Sequence, residues 1–386
     1  MRRELLVFLI LGLVSLTADV AYEGARSISG PLLENLEAVP IAAAVVGSGE
    51  FVSYVARFLG GYICTVFRSS VVLWATVVFG YLVNLVVIPL LAFVGRWELA
   101  VTLYIIERVG KGLRAPSRDT ILAEVTSSIG RGKGFGIHEV MDQVGAFLGP
   151  LAVSLAISTG GYRLAFLSLS LPAALSVTLV VTAAALYPRV ESTNRSLPEP
   201  PRFRGLPKHF WIYTLSMSSL LAGYIHWTIA SMYMASEIQV SASEIALAYS
   251  IAMAIDAIVA LPAGVAYDRY GLKSLVIAPP VAFLAITVLV SSESSLTPYT
   301  VGTLWGIVMG LYETNMRAAV ADFVEPQRRS LAYGTFGLLT GLSWSIGGFA
   351  ISTIASNKLL LLIYVLAMEV ASLTTLLGLL KARVKA

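Results

Sequence analysis

Asp19, Glu23 and Arg26 recur at four- and three-residue spacing inside the first long apolar run, MRRELLVFLILGLVSLTADVAYEGARS. On a helix that spacing gathers them on one face. Glu107, Arg108, Lys111 and Arg114 interrupt a later apolar stretch in the same way. An ionisable side chain inside a membrane helix costs at least ~2.5 kcal/mol on insertion scales, so it faces protein or water. At ~1.5 Å of rise per residue, Asp19 lies ~22 Å from the start of its helix and Glu107 about 14 Å into its own. Both are near mid-depth. Two chemistries suit such groups. A carboxylate can gain and lose a proton, and a set of cations can read a charged substrate. The opposing expectation is that Asp19, Glu23, Arg26, Glu107, Arg108 and Lys111 only neutralise one another.

His138, Glu139 and Asp142 form a third group, with Asp142 ~12 Å from the end of its helix and one turn beyond His138. Asp142 is a candidate for proton or substrate work, and His138 and Glu139 for an inner-end hydrogen-bond network. In the second half of the chain Asp256 and Glu313 fall deep in apolar stretches, with Glu313 the leading candidate there. His226, beside Tyr224 and Trp227, is either a coupling residue or a satisfied structural histidine, and Glu369 reads as structural. The run Gly130-Arg131-Gly132-Lys133-Gly134-Phe135-Gly136 lacks the preceding strand of a phosphate loop and reads as a tight turn. No metal-ligand spacing and no nucleophile elbow occurs, so no catalytic residue, metal or cofactor is expected.

These residues need membrane helices to hold them. The chain has 386 residues, 57% hydrophobic and 13% charged, with 27 basic and 23 acidic side chains. Soluble domains carry about 25% charged residues. The composition excludes a disordered chain and a nucleic-acid-binding domain, and a single cysteine, Cys64, excludes a disulfide scaffold. Helices of ~20 apolar residues cross a bilayer. Such runs are expected at 4–25, 39–63, 70–94, 98–117, 134–158, 162–187, 209–234, 243–266, 274–291, 299–321, 331–355 and 358–381. The first is read as a retained helix, because it runs into Asp19 and Glu23 without a cleavage site. With the N-terminus inside, nineteen basic residues fall on the cytoplasmic side and four outside. That bias places both termini in the cytoplasm of a multi-pass protein of the cell membrane.

The segment 188–208 is rich in Pro and charge and reads as a cytoplasmic linker between an N-terminal bundle, 1–187, and a C-terminal bundle, 209–386. The halves repeat. Gly61, followed by Arg68, matches Gly264 at an offset of 203, and Gly112 and Gly136 match Gly310 and Gly334 at an offset of 198. Internal repeats of this kind build many secondary transporters.

The run Gly264-x-x-x-Asp268-Arg269-x-Gly271-x-Lys273 resembles the cytoplasmic loop motif of the major facilitator superfamily. Gly136, Gly145 and Gly149-Pro150 resemble the fifth-helix motif which that family associates with antiporters, although Val153 and Ser154 replace its closing glycine pair. Thr65 stands where the N-terminal loop copy usually has aspartate. The stretches 107–119 and 136–143 are similar to those of an uncharacterised prokaryotic branch. The resemblance implies an all-α membrane fold of twelve transmembrane helices in two six-helix bundles, working as a secondary transporter by alternating access. Proton-coupled export of a small molecule is the first expectation, with Asp268 clasping Arg317 at an inner gate. The rivals are an importer or facilitator of a metabolite or anion, suited by Arg108, Lys111 and Arg114, and a membrane-embedded lipid-handling protein. The expected partners are the substrate, a proton or other coupling ion and the bilayer, with no nucleic acid, for a monomer.

Overall fold

The computed structural model describes residues 2–67, 69–127, 130–190, 205–292, 294–325 and 328–384, without the side chains at 2, 65, 131, 132, 317, 330, 383 and 384. Every regular element among them is helical. The α-helices are α1 Arg2–Ser27, α2 Ser29–Asn35, α3 Ile41–Gly47, α4 Gly49–Phe67, α5 Ser70–Leu90, α6 Trp97–Val125, α7 Arg131–Ser168 and α8 Ser170–Leu186. They continue as α9 Lys208–Gly223, α10 Trp227–Ser236, α11 Ala242–Tyr270, α12 Ala278–Ser291, α13 Thr297–Leu311, α14 Arg317–Phe323, α15 Arg329–Ile354 and α16 Lys358–Val384. A 3₁₀ stretch at Gly271–Ile277 and a π turn at Tyr312–Met316 join neighbours.

Local chemistry sets many of the ends. Ser69 caps α5 by accepting from Val71 N at 3.2 Å. Ser241 and Glu244 form a capping box at the start of α11, satisfying two otherwise orphaned backbone N–H groups. Gly161 has φ +66, a region open to glycine at little cost, and it kinks α7 between the fifth and sixth expected spans. Gly271, with φ +58, ends α11 inside the loop motif.

By length and apolar composition seven segments among the described residues qualify as membrane-spanning, against the twelve expected. The difference has physical causes. Two of the seven, Lys133–Leu186 and Ala242–Ser291, have 54 and 50 residues, more than twice the ~20 that a crossing needs. The α6 segment is missed because Glu98, Glu107, Arg108, Lys111, Arg114, Arg118, Asp119 and Glu124 lower its apolar content. The α9–α10 segment is interrupted at Tyr224–His226, and the α13–α14 segment is less apolar because it carries Thr297, Thr300, Thr303, Glu313, Thr314 and Asn315.

The chain forms two compact units, one of Met1–Glu37 with Val52–Glu199 and the other of Ala38–Phe51 with Pro200–Ala386. In the first, α1 packs along α7 and α8, and α5 along α6. In the second, α11 packs along α13, α9 along α16 and α15, and the short α3 against α15 and α10. Small residues make the close approaches, as in membrane helix pairs generally. A Cβ on Gly112 of α6 would run into Ser53 O of α4, and one on Gly310 of α13 would lie 2.8 Å from Asp256 O of α11. Ser53 and Asp256 differ by 203, and Gly112 and Gly310 by 198, the two offsets of the sequence repeat. Both units therefore use one glycine-to-carbonyl approach at equivalent places.

Candidate functional site

In the first unit α1 presents Asp19, Tyr22, Glu23 and Arg26 within two turns. Gly145 and Gly149 of α7 let α1 come close, because a Cβ on Gly145 would run into Leu16 O and one on Gly149 into Val20 O. The helix α6 contributes Glu107, Arg108, Lys111, Arg114 and Arg118. Asp19, Glu23, Arg26, Glu107, Arg108 and Arg114 are all buried.

The charges sort into distinct pairings. Glu23 Oε1 lies 3.4 Å from Arg26 Nη1 and 3.6 Å from Lys111 Nζ, so one carboxylate ties α1 to α6. Arg108 Nε meets Glu107 Oε2 at 2.9 Å, and Asn84 Nδ2 of α5 donates to Glu107 Oε1 at 2.5 Å. Lys111 Nζ sits 4.1 Å from the centre of the Tyr22 ring. Arg114 is 2% exposed and enters none of the ion pairs among the described residues. Its guanidinium stacks 3.9 Å over the Tyr81 ring and 5.9 Å from that of Tyr22. Asp19 is 7% exposed and also enters none of those pairs. Its charged neighbours are Asp142, Lys111 and Glu23.

The α7 group adjoins this one. His138 Nδ1 lies 3.4 Å from Asp142 Oδ1. Asp142 neighbours Ser15 of α1 and Arg118 of α6. Arg118 Nη1 donates to Ser15 Oγ at 3.4 Å, and its Nη2 meets Asp119 Oδ1 at 2.8 Å. Charged side chains thus follow one another from Glu23 through Lys111 and Asp19 to Asp142 and His138, while Glu107 stays with Arg108 and Asn84. Gly136 has no neighbour within 4 Å of where its Cβ would stand, and Pro150 lies inside α7 beside Gly149.

In the second unit the candidates are dispersed. His226 caps α10, its Nδ1 accepting from Thr228 N at 3.3 Å, and its ring lies 5.1 Å from that of Trp344. Glu313 stands half-buried in the π turn. Insertions of that kind frequently mark functional positions. The turn's disturbed backbone is met by Tyr213, whose hydroxyl donates to Met316 O at 3.0 Å. Of the loop motif, Gly264, Gly271, Asp268, Arg269 and Lys273 close α11 and begin the next turn, with the last three exposed. Asp268 enters none of the ion pairs among the described residues. The side chain of Arg317, its expected partner, lies outside the described residues, as does Arg68; Gly61 faces Pro116 at 3.7 Å from its would-be Cβ.

Asn84, Tyr22, Tyr81 and Ser15 were missed from the sequence as members of the site. Only Asn84 left a signal there, as the one side-chain amide in the otherwise apolar 70–90 helix.

A family model of the Major Facilitator Superfamily matches residues 11–215 and again 212–384. The uncharacterised protein Rv2265 of Mycobacterium tuberculosis is 37% identical over 374 residues, covering 94% of this chain and 90% of that protein. The uncharacterised MFS-type transporter MJ1317 of Methanocaldococcus jannaschii is 25% identical over 350 residues, covering 86% and 84%. Among solved structures, the nucleoside transporter NupG superposes with a TM-score of 0.73 at 15% identity, over 97% of this chain and 98% of that one.

Proposed function

The chain belongs to the Major Facilitator Superfamily, and from that premise we propose that this multi-pass membrane transporter is a secondary one, working by alternating access and coupled to protons through Asp19. One observation carries the reading. Glu23 and Glu107 are each committed to cations of their own, whereas Asp19, buried at mid-helix, enters no ion pair among the described residues. A carboxylate in that position can exchange a proton without first breaking a salt bridge. Asp142 and His138 extend its surroundings along α7. Export of a small molecule is supported by the spacing of Gly145 and Gly149-Pro150, which serves the approach of α1 and α7. The cell membrane, with both termini and the 188–208 linker in the cytoplasm, follows from the distribution of basic residues.

The experiment is transport in proteoliposomes that enclose the pH dye pyranine, screened with a panel of small organic cations, anions and nucleosides under an imposed pH gradient. The active compound should be driven by the gradient in the wild type. Asp19→Asn should abolish gradient-driven accumulation and retain exchange of that compound at equal pH. Full accumulation by a normally folded Asp19→Asn protein would remove Asp19 from this role.

A second reading, uptake of an anionic metabolite, is favoured by Arg114. Its guanidinium is buried beside Lys111 and Arg108 without a carboxylate partner among the described residues, and a carboxylate or phosphate group would suit it.

A further inference from the structure

Glu369 of α16 is 3% exposed, and neither of its carboxyl oxygens has a hydrogen-bond partner among the described residues. Counting from Lys358, it lies ~16 Å into its helix, about the middle of a hydrocarbon core of ~30 Å. A buried polar group in that position is costly unless something answers it.

Its Oε1 is set against Gly223, the last residue of α9, where an added Cβ would lie 2.5 Å away. Tyr224 is extended at φ −80, ψ 111, and α10 begins only at Trp227. The end of α9 therefore leaves carbonyls without helical partners and presents the negative end of the helix dipole inside the protein. Most of the freed carbonyls are answered. Ala222 O accepts from Tyr364 Oη at 3.2 Å, Tyr224 O from Trp344 Nε1 at 2.8 Å, and Ile225 O from Trp305 Nε1 at 3.0 Å. None of these donors serves Glu369.

No positive charge among the described residues faces it either. The elements packed on α16 are α9, α12, α15 and the 271–277 turn. α12 has no titratable residue, and Lys208 and His209 of α9 lie ~21 Å along that helix from Gly223. On α15 Arg329 and Tyr333 occupy the first two turns, and Lys273 is exposed. Tyr364, on α16 itself, is committed to Ala222. Two sources of negative potential, a carboxyl group and a helix C-terminus, thus converge with no described donor or cation between them.

We propose that Glu369 and the C-terminal end of α9 form a monovalent-cation site, which takes a proton or a sodium ion. Broken membrane helices use such ends, with free carbonyl oxygens, for these two ions. Gly223 lets the carboxyl group come this close to the helix end, because any side chain there would run into Oε1. The site lies in the second compact unit and is independent of the role given to Asp19.

The test is made on purified full-length protein without reading transport, so its outcome is separate from that of the coupling reading. Thermal unfolding is followed in sodium, potassium and choline chloride at equal ionic strength, and across pH at fixed salt. A sodium site predicts a saturable rise of the unfolding midpoint in sodium alone, lost in Glu369→Gln. A proton site predicts indifference to sodium, a midpoint that falls as pH rises, and a buried carboxylic-acid C=O band in the infrared spectrum. The band and the pH response would both be lost in Glu369→Gln. A wild type that shows neither response, or a Glu369→Gln protein that keeps the response, overturns the proposal. Should Glu369→Gln fail to fold, Glu369→Asp retains the charge one methylene further back. It should then need at least tenfold more cation for the same shift, and an unchanged requirement overturns the proposal equally.

Discussion

Asn84 Nδ2 reaches Glu107 twice, at 2.5 Å to Oε1 and at 3.2 Å to the backbone oxygen. The pair locks α5 to α6 where Gly110 lets the two backbones approach, since a Cβ on Gly110 would run into Asn84 N. With Arg108 on Oε2, the Glu107 carboxylate is held on both oxygens. It is an anchor, in contrast to Asp19.

That contrast gives a first prediction. Glu107→Gln keeps the shape and removes the charge that answers Arg108. Breaking a buried pair at one partner costs about 3–5 kcal/mol. The variant should therefore lose stability in detergent, read as a lower unfolding midpoint. Glu107→Gln combined with Arg108→Met should recover part of the loss, because no cation is left behind. A Glu107→Gln protein as stable as the wild type would show that the anchor carries little.

The sequence made the helices and the repeat legible, and it left the pairings hidden. Apolar runs and glycine offsets are local properties, and the matched Gly112 and Gly310 approaches follow from them. Which cation answers which carboxylate depends on helix rotation and neighbour identity. Glu23 and Arg26 could be paired from spacing, but nothing in the chain order indicates that Lys111 reaches Glu23 or that Asn84 reaches Glu107. The break at Tyr224–His226 was hidden for a related reason. Its free carbonyls are satisfied by Trp305 and Trp344, which stand 80 and 120 residues away in the chain.

The repeat itself supports a second prediction. Gly112→Val and Gly310→Val each push a side chain into a carbonyl of the neighbouring helix, Ser53 O and Asp256 O. Overpacking of this kind costs typically ~1–3 kcal/mol. Both variants should unfold at lower temperature in detergent, whereas Gly136→Val, with open space at its Cβ, should not. Equal midpoints for all three would remove the packing role from the matched pair.

Topology supplies a third. Cys64 is half-buried with Sγ 3.0 Å from Ser117 Oγ, so Cys64→Ser should give a quiet background for labelling. A cysteine introduced at Arg189 or Lys208 should then resist membrane-impermeant maleimide in intact cells and react after permeabilisation. One introduced at Arg96 should react from outside. Labelling of Arg189→Cys in intact cells would invert the orientation drawn from the basic residues.

Arg114 tests the anionic reading by stability and transport together. Withdrawing an ion from water costs several kcal/mol even after relaxation. A cation over an aromatic face returns ~2 kcal/mol or somewhat more when desolvated. With Tyr81 at 3.9 Å and no described carboxylate in partnership, the balance for Arg114 runs against keeping a cation there for stability alone. Arg114→Met, which fills similar volume without charge, should therefore unfold at the wild-type temperature or above it. If the guanidinium takes an anionic group of the substrate, the same protein should lose transport of anions in proteoliposomes while Arg118→Lys retains it. A lower unfolding midpoint together with unchanged anion transport per folded molecule would assign Arg114 to packing between Tyr22 and Tyr81, and the anionic reading would lose its support.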